Sequence, residues 1–533
     1  MKHALLLALS ALVVSLAAPP PPGLFDGPSA EHLHWLQSYA EARSRGLDAP
    51  SPTADPGNPI ARALAGEPMK VLILLVDFND NIAQTSPAYF DSMGFASETF
   101  SLHRYYLDVS FGQIDIITVN WPSETGWQRA PQDYAWYVNN NYGWGAYPQN
   151  TQRLVEDVCN MVDPLVDFSV YDNTGDGFVD GVNLMFAGKF DGTPSTIWPH
   201  CWSLPSPLVL DGVKIHTFSV QNEYDNSPGD KSAAVFCHEF GHVLGLPDLY
   251  DYDYDSKGVG DWCMMSFGVY NGGGWSPAEF SPWCRYKLGV TELINVTEAG
   301  VYTVPAIETS NVAYRLWADG QGGQQYFILE NRRPINWDQA LPGHGLMIWH
   351  VDEAMPHNNW QWWPGCGWYQ HYKVAVEQAD GLYNLEHNQA SDAGDPWPGT
   401  TGNQYFTADS SPDSRDYYGN DTGVFVGPIP VTSDTVQVFM SVSFTGIETS
   451  PPAAGGPGLA WSGNTFHVSH QGGHAELTVF DMAGRTVTTL HRGELSGGDH
   501  TMVWNTVGFP AGVYMARFAN SSGSVSARGV VLQ

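Results

Sequence analysis

The sequence predicts an α+β protein built in three successive parts: a mixed helix–strand region, a strand-rich region, and a small β-sandwich at the C-terminal end. Three observations carry this expectation. Between residue 69 and about residue 293, apolar runs of strand length alternate with segments of helical period. From 300 to about 444 the runs are short, rich in β-branched and aromatic residues, and separated by turn residues. After a Pro/Gly-rich break at 450–458, strand-like alternation with Gly turns resumes to the end.

Composition narrows the functional classes. At roughly 100–200 residues per domain, 533 residues leave room for several domains, each with its own core. Hydrophobic residues make up 43% and charged ones 15%, with 20 Trp, 25 Tyr and 24 Phe, which argues against disorder. The net charge of −33 argues against nucleic acid as a partner, because phosphate binding needs a basic surface. It suits a secreted soluble protein that holds divalent cations.

Residues 1–17 read as a secretory signal. Lys2 and His3 precede an apolar run at 4–16 that is too short to span a bilayer, and Ser15, Ala17 and Ala18 offer small residues for cleavage. No later stretch reaches about 18 uninterrupted apolar residues, so no transmembrane segment is expected. The expected location is extracellular. Cys159, Cys201, Cys237, Cys263, Cys284 and Cys366 fit an oxidising compartment, where one or two disulfides are expected; without a CxxC pair they do not read as a zinc site. Residues 18–68, rich in Pro, Ala and Gly with one helical pattern at 30–47, read as a propeptide or a linker.

The region 69–296 opens with a buried strand at 70–78. Ser101 is placed to cap a helix that starts just after it, and a second helical run covers 150–162. A β-rich region at 297–445 has strand patterns at 326–330, 346–350 and 436–440, and 446–459 is a linker. In 460–533, strands are expected at 475–480, 486–490, 501–504, 513–518 and 525–532. His344, His350, His357 and Glu353 match no tight metal spacing and read as structural.

The chemistry concentrates in Ser232-Ala-Ala-Val-Phe-Cys-His-Glu-Phe-Gly-His-Val-Leu-Gly-Leu-Pro-Asp248. On a helix, His238 and His242 leave the same face and can bind one metal ion. Glu239 then sits beside the open coordination position, where it can take a proton from a metal-bound water. Gly245 permits the left-handed turn that ends the helix, and Pro247 prevents its resumption. Asp248 can therefore return to the same metal as third ligand. Two imidazoles, one carboxylate and one open position suit catalytic zinc.

A second cation is expected at 172–180, where Asp172, Thr174, Asp176 and Asp180 place oxygens at loop positions 1, 3, 5 and 9. Gly177 supplies the turn at position 6, and the Phe178 carbonyl is the position 7 ligand. Asn183 stands where an EF-hand has its bidentate Glu, so this is an EF-like loop for structural Ca²⁺. The acidic stretch 251–255 reads as a solvated loop in preference to a further ion site.

Together with segments at 101–113, 259–289, 330–332, 342–352 and 394–399, this motif resembles the immune inhibitor A family of secreted bacterial metallopeptidases, relatives of the metzincins. The resemblance implies a metzincin-like catalytic domain with His238, His242 and Asp248 as zinc ligands, Glu239 as catalytic base and Met265 as the Met-turn residue. It departs from better-known metzincins in two places: Asp248 stands for a His, and Phe267 replaces the Tyr two residues after the Met. The oxyanion-stabilising side chain is left open between Tyr270 and His200. The activity implied is that of a secreted zinc metalloendopeptidase acting on peptide bonds of extracellular proteins. The alternative is an inactive scaffold whose aromatic-rich β region binds glycans or host proteins. Segments 477–485, 497–500, 512–514 and 528–532 resemble the C-terminal sorting modules of secreted bacterial proteins. That implies engagement of a type IX-like export machinery or attachment to the cell surface through 460–533, with a plain accessory domain as the alternative.

Overall fold

The computed structural model describes residues 66–442 and 458–531, except 321–322, 367–369, 432, 463, 482–484, 510–511 and 522. The expected signal, nearly all of the propeptide or linker region and most of the 446–459 linker lie outside the described residues. The chain divides into two compact units, Met1–Ser441 and Val442–Gln533.

The first unit is organised by a five-stranded sheet of strands β1 (Leu72–Asp77), β2 (Trp127–Arg129), β3 (Val182–Phe186), β4 (His200–Leu210) and β5 (Val213–Asn222), in the order β2-β1-β3-β5-β4. Neighbours are parallel except β4, which runs antiparallel along one edge. Strand β1 is buried along its whole length, as a central parallel strand covered on both faces should be. Alternate residues feed different cores: Val71, Ile73 and Leu75 join one apolar cluster, and Leu72, Leu74 and Val76 the other. The β4–β5 hairpin turns at Asp211-Gly212, both with positive φ (49° and 84°), the backbone that this dipeptide tolerates.

Helices cover the sheet. On one face lie α1 (Pro87–Phe95), α2 (Leu102–Val109) and α4 (Ala234–Val243); on the other lies α3 (Thr151–Val162). Ser101 Oγ accepts from Arg104 N at 2.9 Å, and α2 buries Leu102, Tyr105, Tyr106 and Val109, one stripe at helical spacing. Asn150 Oδ1 caps α3 through Arg153 N at 3.2 Å. After α5 (Pro282–Lys287) come β6 (Glu292–Asn295), β7 (Gly300–Pro305), β8 (Val312–Leu316), β9 (Gln325–Arg332), β10 (Gly345–Asp352), β11 (Val374–Val376), β12 (Phe425–Val426) and β13 (Thr435–Ser441). They form a five-stranded sheet, β11-β10-β9-β8-β6, and a three-stranded one, β12-β13-β7. The cluster containing Phe240 and Met265 also contains Trp349, Val351 and Val374, so the strand-rich region shares a core with the helices around the motif.

In the second unit, β14 (Gly458–Ser462), β15 (Thr465–His470) and β18 (Gly498–Val503) make a three-stranded antiparallel sheet. Strands β16 (Gly473–Asp481), β17 (Thr486–Leu495), β19 (Gly512–Asn520) and β20 (Gly523–Val531) make a four-stranded one. Phe466 and Val468 of the first sheet and Leu477, Val479, Ala516 and Phe518 of the second belong to one buried cluster with Trp504. The molecule is thus a mixed α+β protein with separate β-sheets toward its C-terminal end. Among the described residues, no helix is long and apolar enough to cross a membrane.

Candidate metal centre

Helix α4 is apolar nearly all round, and every one of its ten residues is buried, which is how such a sequence satisfies a helix inside a core. It ends as its residues require. Gly245 adopts φ 91°, its N–H donates to the His242 carbonyl at 2.9 Å, and Leu246 N–H reaches back to the Gly241 carbonyl at 3.0 Å. The chain then reverses, and Leu249 N–H donates to the Met265 carbonyl at 2.7 Å, which fixes Asp248 beneath the helix.

His238, His242 and Asp248 converge, all three buried. Asp248 Oδ1 lies 2.9 Å from His238 Nε2 and 3.3 Å from His242 Nε2, and the two Nε2 atoms are 3.2 Å apart. The outer nitrogens decide the tautomers. His238 Nδ1 faces the Met264 carbonyl and His242 Nδ1 the Leu246 carbonyl, each at 2.8 Å. A carbonyl only accepts, so each Nδ1 carries the proton and each Nε2 presents a lone pair. Two lone pairs and a carboxylate oxygen therefore face one another, an arrangement that a cation relieves. A tetrahedral zinc with bonds of about 2.0–2.1 Å separates its ligands by about 3.3 Å, and the observed spacings match.

Met265 is fully buried against the helix. A Cβ added at Gly241 would stand 2.7 Å from Met265 Sδ and 3.5 Å from Tyr106 Oη, so only glycine leaves room for that contact. Tyr106 Oη also donates to the Cys237 carbonyl at 2.8 Å. Sequence reasoning misses the support from Tyr106; its one signal is the glycine between Phe240 and His242, which marks a close approach. Glu239 is fully buried on the same helix. Burial, with the added repulsion of Asp225 and Glu239, raises the Tyr270 phenol well above its ordinary range and keeps it protonated. His200 is committed elsewhere: its Nε2 meets Thr151 Oγ1 at 3.0 Å, its Nδ1 meets the Trp198 carbonyl, and burial pushes its pKa down to about 3.

The other expected sites fare differently. In the 172–180 loop, Asp172 turns its carboxylate onto the amides of Gly175, Asp176 and Gly177, and Asp180 accepts from Asn173 N. Asp172, Asp176 and Asp180 do not form a converging group; Asp251, Asp253 and Asp255 do. Within 251–255, Asp253 and Asp255 are exposed, in keeping with the solvated loop that the sequence suggests, and only Asp251 of the three is buried. Asp251 is fully buried and accepts from Ser256 N and Oγ, and burial together with Asp253 pushes its carboxyl well up. Cys159, Cys201, Cys237, Cys263 and Cys284 are buried thiols, with Cys263 and Cys284 Sγ 3.9 Å apart, so none of these five forms the disulfides that the sequence suggests. His350 stacks on Tyr417 (4.0 Å between rings) and pairs with Glu377, while Glu353 pairs with Lys287, in keeping with structural roles.

Comparison with known proteins agrees with this geometry. Pre-pro-metalloprotease PrtV of Vibrio cholerae serotype O1 is 29% identical over 274 residues, covering 41% of this chain and 29% of that protein. Immune inhibitor A of Bacillus thuringiensis subsp. alesti is 29% identical over 274 residues, covering 40% of this chain and 38% of that protein. The chain thus matches well under half the length of these relatives. A solved structure of PorZ, a surface component of the type-IX secretion system of Porphyromonas gingivalis, shares 14% identity over 41% of this chain and 22% of that one; its TM-score of 0.12 carries no argument. Residues 86–289 match the model of the immune inhibitor A peptidase M6 catalytic domain, which is what that stretch of the chain is similar to.

Proposed function

We propose that the protein is a secreted zinc-dependent endopeptidase that hydrolyses peptide bonds of extracellular proteins. The observation that carries the reading is the convergence of His238 Nε2, His242 Nε2 and Asp248 Oδ1, three acceptors with no proton among them, beside the buried Glu239. These three residues would hold the zinc, which when bound supplies a Lewis acid that polarises the scissile carbonyl and acidifies water. Glu239 takes the proton of the attacking water and passes it to the leaving amine. The Met264 and Leu246 carbonyls hold both imidazoles in the ligating tautomer. Met265 supports the helix from below, and the protonated phenol of Tyr270 is our choice for the donor to the oxygen that gains charge.

In this reading 69–296 is the catalytic domain, 297–445 a β-rich accessory domain, and 460–533 a β-sandwich serving export or surface attachment. Calcium at 172–180 is the second proposed cation. Its support is Asp180, whose buried Oδ1 has no hydrogen-bond partner and whose carboxyl burial pushes up to about 7. The decisive experiment is casein cleavage by the exported chain beside Glu239→Ala. The parent should cleave, and the variant should retain zinc without cleaving; cleavage by the variant would sink the assignment.

A further inference from the structure

We propose that Asn358 and Asn359, in the connection between β10 and β11, are positioning residues for Asp248, the third candidate metal ligand. The inference rests on the zinc reading of His238, His242 and Asp248. It gives the strand-rich region, which lies outside the matched residues 86–289, a part in holding the metal.

Asp248 is held differently from the two histidines. His238 and His242 belong to α4, whose regular hydrogen bonds fix their spacing. Asp248 lies beyond the helix end, in backbone that belongs to no helix or strand, so its place depends on what grips the peptide groups beside it. A metal site tolerates only about 0.5 Å of slack in its ligands. The grip falls on Leu249. Its N–H donates to the Met265 carbonyl at 2.7 Å, and its own carbonyl accepts from Val259 N at 2.9 Å and from Asn358 Nδ2 at 2.9 Å. Asn358 is fixed in turn to the sheet: Nδ2 donates to the Val374 carbonyl at 2.7 Å, and Oδ1 accepts from Val374 N at 3.0 Å. One fully buried amide thus spends both its N–H groups and its oxygen on joining β11 to the residue after Asp248. Asn359 repeats the grip farther along, where its Oδ1 accepts from Tyr252 N at 3.3 Å. Gly258 shows how little room the gripped peptide has. A Cβ there would stand 2.1 Å from the Leu249 carbonyl oxygen and 2.6 Å from Tyr250 Cα.

The test is the zinc affinity of the full chain, measured by competition with a chromophoric chelator, beside the visible absorption of the cobalt(II)-substituted protein, which reports ligand geometry. Asn358→Ala, and Asn358→Asp with the same shape but without the donors, should each weaken zinc binding about tenfold and shift the cobalt bands. Asn150→Ala is the control. Its amide is equally buried and also donates to two acceptors, but on the sheet face away from α4, so stability should fall while both metal readouts stay put. Unchanged zinc affinity in the Asn358 variants overturns the proposal, as does an equal loss in Asn150→Ala, which would reduce the effect to general loosening. Should neither Asn358 variant fold, Asn359→Ala decides, because that side chain is only half-buried. There, zinc binding about threefold weaker supports the clasp, and unchanged binding overturns it. A parent chain that takes up no zinc overturns the metal reading together with this one. A parent that binds zinc, with variants that bind it equally well, overturns the positioning role alone.

Discussion

The candidate metal centre and a cluster of ion pairs around Arg285 and Arg332 are both buried within the first unit, and they handle charge in opposite ways. At the metal centre every converging atom is an acceptor, and the compensating cation must come from outside the chain. In the cluster the chain supplies its own cations, Arg285 and Arg332, spread over Glu279, Glu308, Glu330 and Asp338. The first arrangement is costly to bury until a metal arrives, and so is kept for chemistry. The second ties the segment around α5 to β9 and to residue 338, and its weight falls on stability.

The largest expected effect breaks the metal centre. Asp248→Ala removes the only carboxylate of the candidate ligand set and should leave a folded protein that loses zinc on dialysis and cleaves no casein. Zinc content measured beside near-ultraviolet circular dichroism checks it; full zinc retention would remove Asp248 from the ligand set. Arg332→Met comes next, and its readout differs in kind. It strands the buried carboxylates of Glu330 and Asp338, so unfolding should become easier by about 3–5 kcal/mol in a urea titration, with zinc affinity unchanged in whatever fraction folds. Gly241→Ala sits between the two sites in character. The added methyl meets Met265 Sδ at 2.7 Å, and overpacking of this kind costs about 1–3 kcal/mol. Because the helix that must shift carries both histidines, zinc affinity should fall along with stability.

The ion cluster is also sensitive to pH. Burial, then repulsion from Asp338, pushes the Glu308 carboxyl from 4.5 up to about 9. A raised carboxyl pKa means that the folded protein holds a proton the unfolded chain has lost. The associated stability is fully present below the unfolded pKa and drains away as pH rises through the folded one. Glu308→Gln should therefore flatten the decline in the urea midpoint between about pH 5 and pH 9. An unchanged slope would assign the decline to other buried carboxyls, such as Glu377 and Glu386, which burial raises to about 8.

Legibility in the sequence depends on how far apart the parts lie. All three candidate ligands and Glu239 fall within eleven residues, 238 to 248, so helical period and one glycine turn suffice to bring them together. Strands β9, β10 and β13 match their expected ranges to within three residues, since their apolar runs are uninterrupted. The β4–β5 hairpin escapes the sequence reading, although Asp211-Gly212 is a strong turn signal; Pro205 and Pro207 in β4 obscure it, tolerated because that strand is an edge. Strands β14 and β15 are hidden beside a Pro/Gly-rich stretch whose composition reads as linker. The ion cluster draws on residues 279, 285, 308, 330, 332 and 338 from five separate segments, and no local pattern predicts their meeting.

The smallest effect compares two helix caps. Ser101 and Asn150 do the same local work, each accepting from the backbone N–H three residues on, at 2.9 and 3.2 Å. Ser101→Ala should cost about 1 kcal/mol for the lost cap, and it also takes from the Ala96 carbonyl the one hydroxyl that donates to it at 2.5 Å. Asn150 does more: its fully buried amide also donates to the Gly145 carbonyl at 3.0 Å and to Gln152 Oε1 at 2.8 Å. Asn150→Ala leaves those two acceptors without their donor and should cost about 1–3 kcal/mol beyond the cap. Urea titrations of the two variants measure the difference directly. Equal costs would mean that the Asn150 amide's contacts with Gly145 and Gln152 add nothing, and that α3, on the sheet face away from the metal centre, is held by its apolar stripe alone.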